Sequence, residues 1–439
     1  MGSPEPNRKT RNRILIFLAV IFVVAIGLFT AYLQETDHLG NILSGKAETL
    51  RVAVVLPPPP MDDDFLEGIT MAVNDVNRDG GIDGRPLEVL RIEESAYTED
   101  TELERIVADT LELASHVARK RDLLAVIGHH WSDTAIPASS IYNRHKILYL
   151  SSHATAPSLT NHDFSYVFAL QPDSKDMATI MAHHVVKMGL RKFVVLSDDT
   201  SQAKDSAGLF RSWLTKHGGN VVYDGSLANQ TRSIDRLLAS ILDNSFFTVD
   251  EIDGFFVNSL SSISIGRFIK RARELGLNKP IIGTDAVLSP QVEQIAGKKN
   301  MRGVSGVSLY DQNDQSSEAK NFLKRFKAKY DKLPDSLAAV VYDAIRLLQF
   351  TVAKIGSVQS TALADKLRIM RFEEPFSGVT GPLAFDENGL VTNTEIYIVS
   401  HDGKAFNAVA KYKKPLDWDV AKTTVKRNST PVSKEGNNQ

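Results

Sequence analysis

Three short polar turns hold the side chains best suited to chemistry in this sequence. The first, His129-His130-Trp131-Ser132-Asp133-Thr134, follows the apolar run LLAVIG and precedes a helical stretch, AIPASSIY. Free amides at a helix start together with a Ser132 hydroxyl can cradle a carboxylate. Taken alone, Ser132 equally suits a plain helix cap, and the oxygens of Asp133 or Thr134 suit the N-cap position itself. The second turn, Ser151 to Pro157 after ILYLS, adds Thr155, and the third, Thr284-Asp285-Ala286 after PIIG, adds a carboxylate. By itself Asp285 reads as a solvated loop acid, since exposed aspartate is common. Together, hydroxyls and amides on one side and an acid on the other make a clamp for a zwitterion.

Enzymatic chemistry finds little support. The sequence has no G-x-S-x-G elbow, and Gly303-Val-Ser-Gly-Val-Ser sits at a strand start rather than at a strand-to-helix turn. His129-His130 and His183-His184 are adjacent pairs, whose side chains diverge on a helix, so neither forms an HExxH-like metal site. No Walker loop or G-x-G-x-x-G occurs, and cysteine is absent, which removes disulfides, thiolate metal sites and Cys-linked lipid. The expectation is a binding protein with no catalytic residue, no metal and no cofactor. Asp62-Asp63-Asp64, after the tetraproline Pro57 to Pro60, could attract a cation or simply form a stiff solvated loop. With 51 Lys+Arg against 53 Asp+Glu, no basic excess exists to neutralise a phosphate backbone, so nucleic acid is not an expected partner.

The elements that must position these turns follow from periodicity. The 439 residues, 43% apolar and 24% charged, suffice for two or three domains with proper cores. From Arg51 short β-branched runs alternate with amphipathic stretches, the signature of a parallel sheet with crossover helices. Strands are expected at 51–56, 86–94, 123–128, 147–151, 192–197, 220–223, 253–258, 280–283 and 304–309. Helices are expected at 65–77, 101–119, 174–189, 204–217, 232–243 and 262–275. After Tyr310 two long helices, 316–331 and 337–355, come together before a β-rich ending at 394–400 and 406–412. One uninterrupted alternating set is too long for a single compact sheet, so two α/β lobes are expected. Residues 416–439 lose all periodicity and read as a disordered tail.

Ile14 to Leu33 is an uncharged run of 20 residues, long enough to span a bilayer's hydrocarbon core of roughly 30 Å. Arg8, Lys9, Arg11 and Arg13 precede it, which places residues 1–13 in the cytoplasm and everything beyond Leu33 outside. A cleaved leader is the competing reading. The apolar run exceeds a signal-peptide core, and its small-residue match, Ala25-Ile26-Gly27, lies inside the run, which favours an uncleaved anchor in the bacterial cytoplasmic membrane. Residues 34–50 form a polar spacer.

The run GITMAVNDVNRDGGIDGRPL (68–87) and the longer run VIGHHWSDTAIPASSIYNRHKILYLSSHATAPSLT (126–160) resemble the periplasmic leucine/isoleucine/valine-binding proteins of ABC transporters. The likeness continues through FVVLSDD, FIKRARELGLNKPIIGTDA and SGVTGPLAFDENG, covering roughly Arg51 to Tyr412. It implies a type I periplasmic-binding fold of two doubly wound lobes, 51–172 plus 303–375 and 173–302 plus 376–415, joined by three crossovers and closing by a hinge. By this resemblance Ser132 matches the family's carboxylate-binding serine, Thr155 the threonine touching both ends of an amino acid, His153 a backbone contact, and Asp285 the ammonium-binding acid. Where the family often has a ligand-facing tyrosine, this chain has Asp198 to Ala203, with Gln202 or Ala203 nearest. A second aromatic is replaced by Ser259-Leu260-Ser261-Ser262, making Ser262 the candidate contact there. These departures put branched-chain specificity in question and leave the zwitterion clamp intact. The implied role is an anchored solute-binding protein for an amino acid or similar small polar solute, partnered by an ABC permease. The alternative is an anchored sensory or assembly protein that uses the same fold without transport.

Overall fold

The computed structural model describes residues 49–57, 63–95, 101–120, 123–227, 231–259, 261–392 and 394–413. The apolar run 14–33, the spacer up to residue 48 and the tail lie outside the described residues.

The chain opens with β1 (Leu50–Leu56), whose side chains are all buried except Arg51. Burial on both faces is what a central parallel strand requires, and it explains the near-continuous run of apolar residues. Helix α1 (Asp63–Arg78), β2 (Leu87–Glu93), α2 (Leu103–Ala118), β3 (Leu123–Gly128), α3 (Ser132–Arg144), β4 (Tyr149–Ser151) and β5 (Val167–Ala169) follow. They form a wholly parallel sheet in the order β2-β1-β3-β4-β5.

The second lobe begins with α4 (Ser174–Lys187), β6 (Lys192–Ser197), α5 (Ser201–Lys216), β7 (Asn220–Ser226), α6 (Thr231–Leu242) and β8 (Gly254–Asn258). It continues with α7 (Ser262–Glu274), β9 (Ile281–Ile282), α8 (Pro290–Ala296) and β10 (Val304–Ser308). Three of its helices start on side-chain caps: Asp173 accepts from Asp176 N, Thr200 from Ala203 N, and Ser261 from Ser264 N.

After β10 the chain returns to the first lobe through α9 (Ser317–Tyr330), α10 (Ser336–Ile355), α11 (Ser360–Ile369) and the small sheet β11 (Phe376–Gly378), β12 (Gly381–Phe385) and β13 (Val391–Thr392). Asp75 of α1 accepts from Arg325 of α9 and from the Tyr342 hydroxyl of α10 at 2.7 Å, which ties three helices together. Buried Asp343 of α10 accepts from Val379 N at 2.8 Å and from Thr380 N and Oγ1 at 2.8 and 2.6 Å, pinning the β11–β12 turn. Ala169 N donates to Gly389 O at 2.8 Å. α10 is the one helix among the described residues long and apolar enough to cross a membrane, and it lies buried along α1.

Strands β14 (Glu395–His401) and β15 (Phe406–Lys413) complete the second sheet, ordered β15-β14-β10-β9-β8-β6-β7, with β14 antiparallel to β10. Three crossovers result, between β5 and α4, β10 and α9, and β13 and β14. Two expected boundaries shift. Residues 303–308, expected in the first lobe, belong to the second because β10 bonds β9 and β14. Residues 376–392, expected in the second, pack on the first because Asp343 and β5 hold them.

β3 ends on Gly128 at φ +123°, where an added Cβ would lie 2.1 Å from the Val55 carbonyl oxygen of β1. Only glycine lets the chain leave the sheet here while β1 stays paired. Gly128→Ala is expected to cost about 3 kcal/mol or more in urea unfolding, through forced separation of β1 and β3. A loss below about 1 kcal/mol would show that the turn relaxes freely.

Candidate ligand-binding site

His129 follows Gly128 in the left-handed region, at φ +52°, an unusual place for a residue with a Cβ. Hydrogen bonding holds it there. Its Nδ1 lies 2.7 Å from Glu94 Oε1, just beyond β2, and its Nε2 lies 2.9 Å from the Tyr142 hydroxyl on α3. Glu94 Oε2 also accepts from His130 N at 3.2 Å, and the Tyr149 hydroxyl donates to Gly128 O at 2.9 Å. All four side chains are buried. This network turns the backbone sharply and delivers His130, Trp131 and Ser132 to the space between the lobes.

Helix α3 begins at Ser132, and its N-cap is Trp131, not Asp133 or Thr134. Thr134 Oγ1 instead donates to Trp131 O at 3.1 Å. Ser132 therefore does not cap its own helix. Its Oγ accepts from Ala156 N at 3.1 Å, which joins the turn after β3 to the turn after β4 and leaves the hydroxyl proton to donate. Thr155, in that second turn, is 6% exposed. The His153 ring stacks on His130 with centroids 4.0 Å apart and planes 16° apart. Gln171 Nε2 donates to Ser152 O at 2.7 Å and lies 3.4 Å from His153 Nδ1.

From the second lobe, Asp285 opens a 3-10 turn after β9 and is half-buried. Its neighbour Thr284 donates through Oγ1 to Asn258 Oδ1 at 3.0 Å, bracing the ends of β8 and β9. Ser262 Oγ lies 3.3 Å from Ser289 Oγ. The serine run that replaces an aromatic is engaged in local structure: Ser259 Oγ accepts from Ser261 N at 3.0 Å, and Ser261 caps α7.

Ser132, His153, Thr155, Asp285 and Ser262 all line one cleft of about 870 Å³ between the lobes. Gln202 falls in the first turn of α5, and its side chain lies outside the described residues. Sequence reasoning missed His130, Gln171 and Asn258 as cleft residues. Asn258 carried the right signal, standing at the carboxyl end of an expected strand. Gln171 did not, because β5 is only three residues long and was not foreseen. Of the acidic trio, Asp64 meets Lys332 Nζ at 2.7 Å, so an internal lysine serves it; the side chains of Asp62 and Asp63 lie outside the described residues. His184 Nδ1 lies 3.1 Å from the Tyr412 hydroxyl. Among the described residues no cluster of three or more His, Cys, Asp or Glu is placed to hold a metal ion.

Burial pushes the His130 imidazole well below its ordinary range, and neighbouring His153 reinforces this. Burial also lowers His153, partly offset by the Asp285 charge across the cleft. The stacked pair is therefore neutral at neutral pH.

Two doubly wound lobes, crossed three times by the chain and facing each other over one cleft, define a type I periplasmic-binding fold. The family model described as periplasmic binding protein matches residues 57–405. The chain belongs to that family. The Leu/Ile/Val-binding protein of Escherichia coli K12 is 25% identical over 348 residues, 78% of this chain and 88% of the relative. A Pseudomonas aeruginosa protein named for leucine, isoleucine, valine, threonine and alanine binding is 22% identical, covering 85% of this chain and 93% of its own. Among solved structures, an ABC transporter substrate-binding protein from Desulfitobacterium hafniense in complex with Leu superposes with a TM-score of 0.69 at 26% identity, over 82% of this chain and all of that one. A branched-chain amino acid transporter substrate-binding protein of Streptococcus pneumoniae, in complex with isoleucine, shares the fold with a TM-score of 0.71 at 23% identity, over 82% and 99% of the two chains.

The lowered histidines set a sign for stability. An unfolded chain takes up protons on His130 and His153 near the ordinary value of 6.5, while the folded chain resists until lower pH. Their contribution is complete above pH 6.5 and is lost as pH falls toward the folded values. Ring-proton NMR is expected to show both imidazoles titrating below 6.5, and His130→Asn is expected to lessen the acid loss of stability. Titration of either ring above 6.5 would contradict the assigned burial.

Proposed function

We propose that this protein is a membrane-anchored, extracytoplasmic solute-binding protein that holds an amino acid or similar small polar solute between two closing lobes for ABC-type import. The observation that carries the reading is the convergence on one cleft of Ser132 and Thr155 from one lobe with Asp285 from the other. Hydroxyl and amide donors receive the ligand carboxylate, and the acid receives its ammonium. Such contacts pull the lobes together, because only a closed cleft satisfies both ends of one small molecule. The role is binding and delivery, without turnover. The leucine and isoleucine complexes of the similar transport proteins support the ligand class.

Ile14 to Leu33, with basic residues before it, serves as the anchor, leaving residues 1–13 in the cytoplasm and the two lobes outside. The tether and the serine run that replaces an aromatic, of which Ser262 lines the cleft, favour, as a second reading, a sensory or assembly role that uses the same cleft. The two readings differ in whether a permease collects the solute.

Each hydroxyl-to-carboxylate bond is worth about 1.5–3 kcal/mol. Calorimetry with the amino acid that most raises the melting temperature is therefore expected to show Ser132→Ala weakening binding by about tenfold or more, and Asp285→Ala by at least as much. Unchanged affinity in both variants would remove the clamp. For the anchor, alkaline carbonate extraction is expected to leave the full-length protein in the membrane pellet. Recovery as a soluble periplasmic protein lacking residues 1–33 would overturn it.

A further inference from the structure

Two helices end side by side where the chain enters its first sheet. α2 and α3 pack together on one face of that sheet, with Ala114, Val117, Ala135 and Tyr142 in one core with Ala53 of β1 and Val126 of β3. Each runs from the carboxyl end of one parallel strand back to the amino end of the next, so both finish at the sheet's amino edge, about 10 Å apart as packed helices are. Their ends carry four exposed cations: Arg119 and Lys120 just beyond α2, Arg144 in the last turn of α3 and Lys146 just beyond it. Backbone bonds fix both turns. Lys120 N donates to Val117 O at 2.9 Å and Lys146 N to Asn143 O at 3.1 Å, while Asn143 Oδ1 accepts from Tyr166 N at 3.2 Å.

Elsewhere along this edge the fold answers its own basic residues: Glu88 meets Arg51, Asp83 meets Arg85, Asp79 meets Arg346 and Glu374 meets Lys354. Among the described residues no carboxylate comes within ion-pair distance of the four cations under α2 and α3. Arg121 and Asp122, whose side chains lie outside the described residues, are opposite in charge, and Asp163, exposed ahead of β5, offsets only part of the excess. A helix dipole favours a cation at its carboxyl end. Four of them on two adjacent ends make a basic surface in a chain that holds 51 basic against 53 acidic residues.

The tether arrives at the same edge. β1 begins at Leu50, beside β3 in the sheet, and residues 34–49 are all that separate it from the apolar run ending at Leu33. This edge therefore reaches a bilayer with the least chain strung out. Resting on the anchor proposed above, we propose that the amino edge of the first sheet docks on anionic lipid headgroups, with Arg119, Lys120, Arg144 and Lys146 against their phosphates. Ser132 and Thr155 follow the opposite, carboxyl ends of β3 and β4, so docking holds the cleft away from the bilayer and leaves the second lobe free to close.

The absence of native cysteine permits a clean test by single-site labelling of the full-length protein in lipid nanodiscs. A donor dye goes on Ser140→Cys near the end of α3, or on Ser240→Cys of α6 in the second lobe as a control, and an acceptor dye on the headgroups. Energy transfer from position 140 is expected to be at least about twofold higher in discs containing phosphatidylglycerol than in phosphatidylcholine alone. The rise is expected to vanish at about 1 M salt, where screening acts within about 3 Å, and to be absent at position 240. Joint replacement of Arg119, Lys120, Arg144 and Lys146 by Gln is expected to abolish it with an unchanged melting curve, and joint replacement of Lys320, Lys324 and Lys327 of α9 by Gln to keep it. Equal transfer in the two lipids, or a rise that survives the fourfold replacement, would overturn the docking surface and leave the anchor standing. Failure of the full-length protein to enter the discs would sink the anchor and this surface with it.

Discussion

The site depends on a single backbone reversal at the end of β3. A strand buried on both faces must leave its sheet within a residue or two if the next side chains are to reach a cleft. Gly128 at φ +123° and His129 at φ +52° make that exit, and neither conformation is cheap for an ordinary residue. Glu94, Tyr142 and Tyr149 hold it by hydrogen bonds contributed from just beyond β2, from the following helix and from the adjacent strand β4. Because Tyr142 lies on the same helix that Ser132 begins, the network also sets the height and direction of that helix start. Ser132 Oγ and the free amides at the start of α3 reach the cleft only because of this turn.

The bond from Ala156 N to Ser132 Oγ extends the effect to the second turn, so Thr155 and His153 share one rigid frame with Ser132. The second lobe is braced independently, through Thr284 and Asn258 across the ends of β8 and β9. Two separately stiffened walls joined by three crossovers can move as bodies, which is what a closing cleft needs. The charge arrangement fits that motion. Asp285 already acts on His153 across the gap, so an ammonium entering the cleft meets an acid positioned toward the opposite lobe.

Much of this was legible in the sequence, for physical reasons. Central parallel strands are buried twice over, so LLAVIG and KFVVLS stand out as β-branched runs and match β3 and β6 residue for residue. Placing Ser132, Thr155 and Asp285 at strand ends followed from the rule that open sheets bind at their carboxyl edges. The losses were short or context-dependent elements. β5, β11 and β13 have two or three residues each and leave no periodic trace, and α8 and α11 are brief. The lobe boundaries were misplaced because β10 and the 376–392 segment are assigned by long-range partners, β14 and Asp343, that no local pattern announces. The same limit hid the cap: Ser132 looked like a capping residue by type, and its real partner is Ala156, far along the chain.

The proposed clamp requires that a zwitterion bridge the lobes with its carboxylate on the first and its ammonium on the second. A crystal structure of the protein with the amino acid that stabilises it most against heat tests this directly. The clamp predicts a carboxylate oxygen within hydrogen-bond distance of Ser132 Oγ and of the Thr155 turn, and the ammonium against Asp285, with the cleft closed. A ligand bound with neither charged end on these residues, or bound wholly on one lobe, would contradict it.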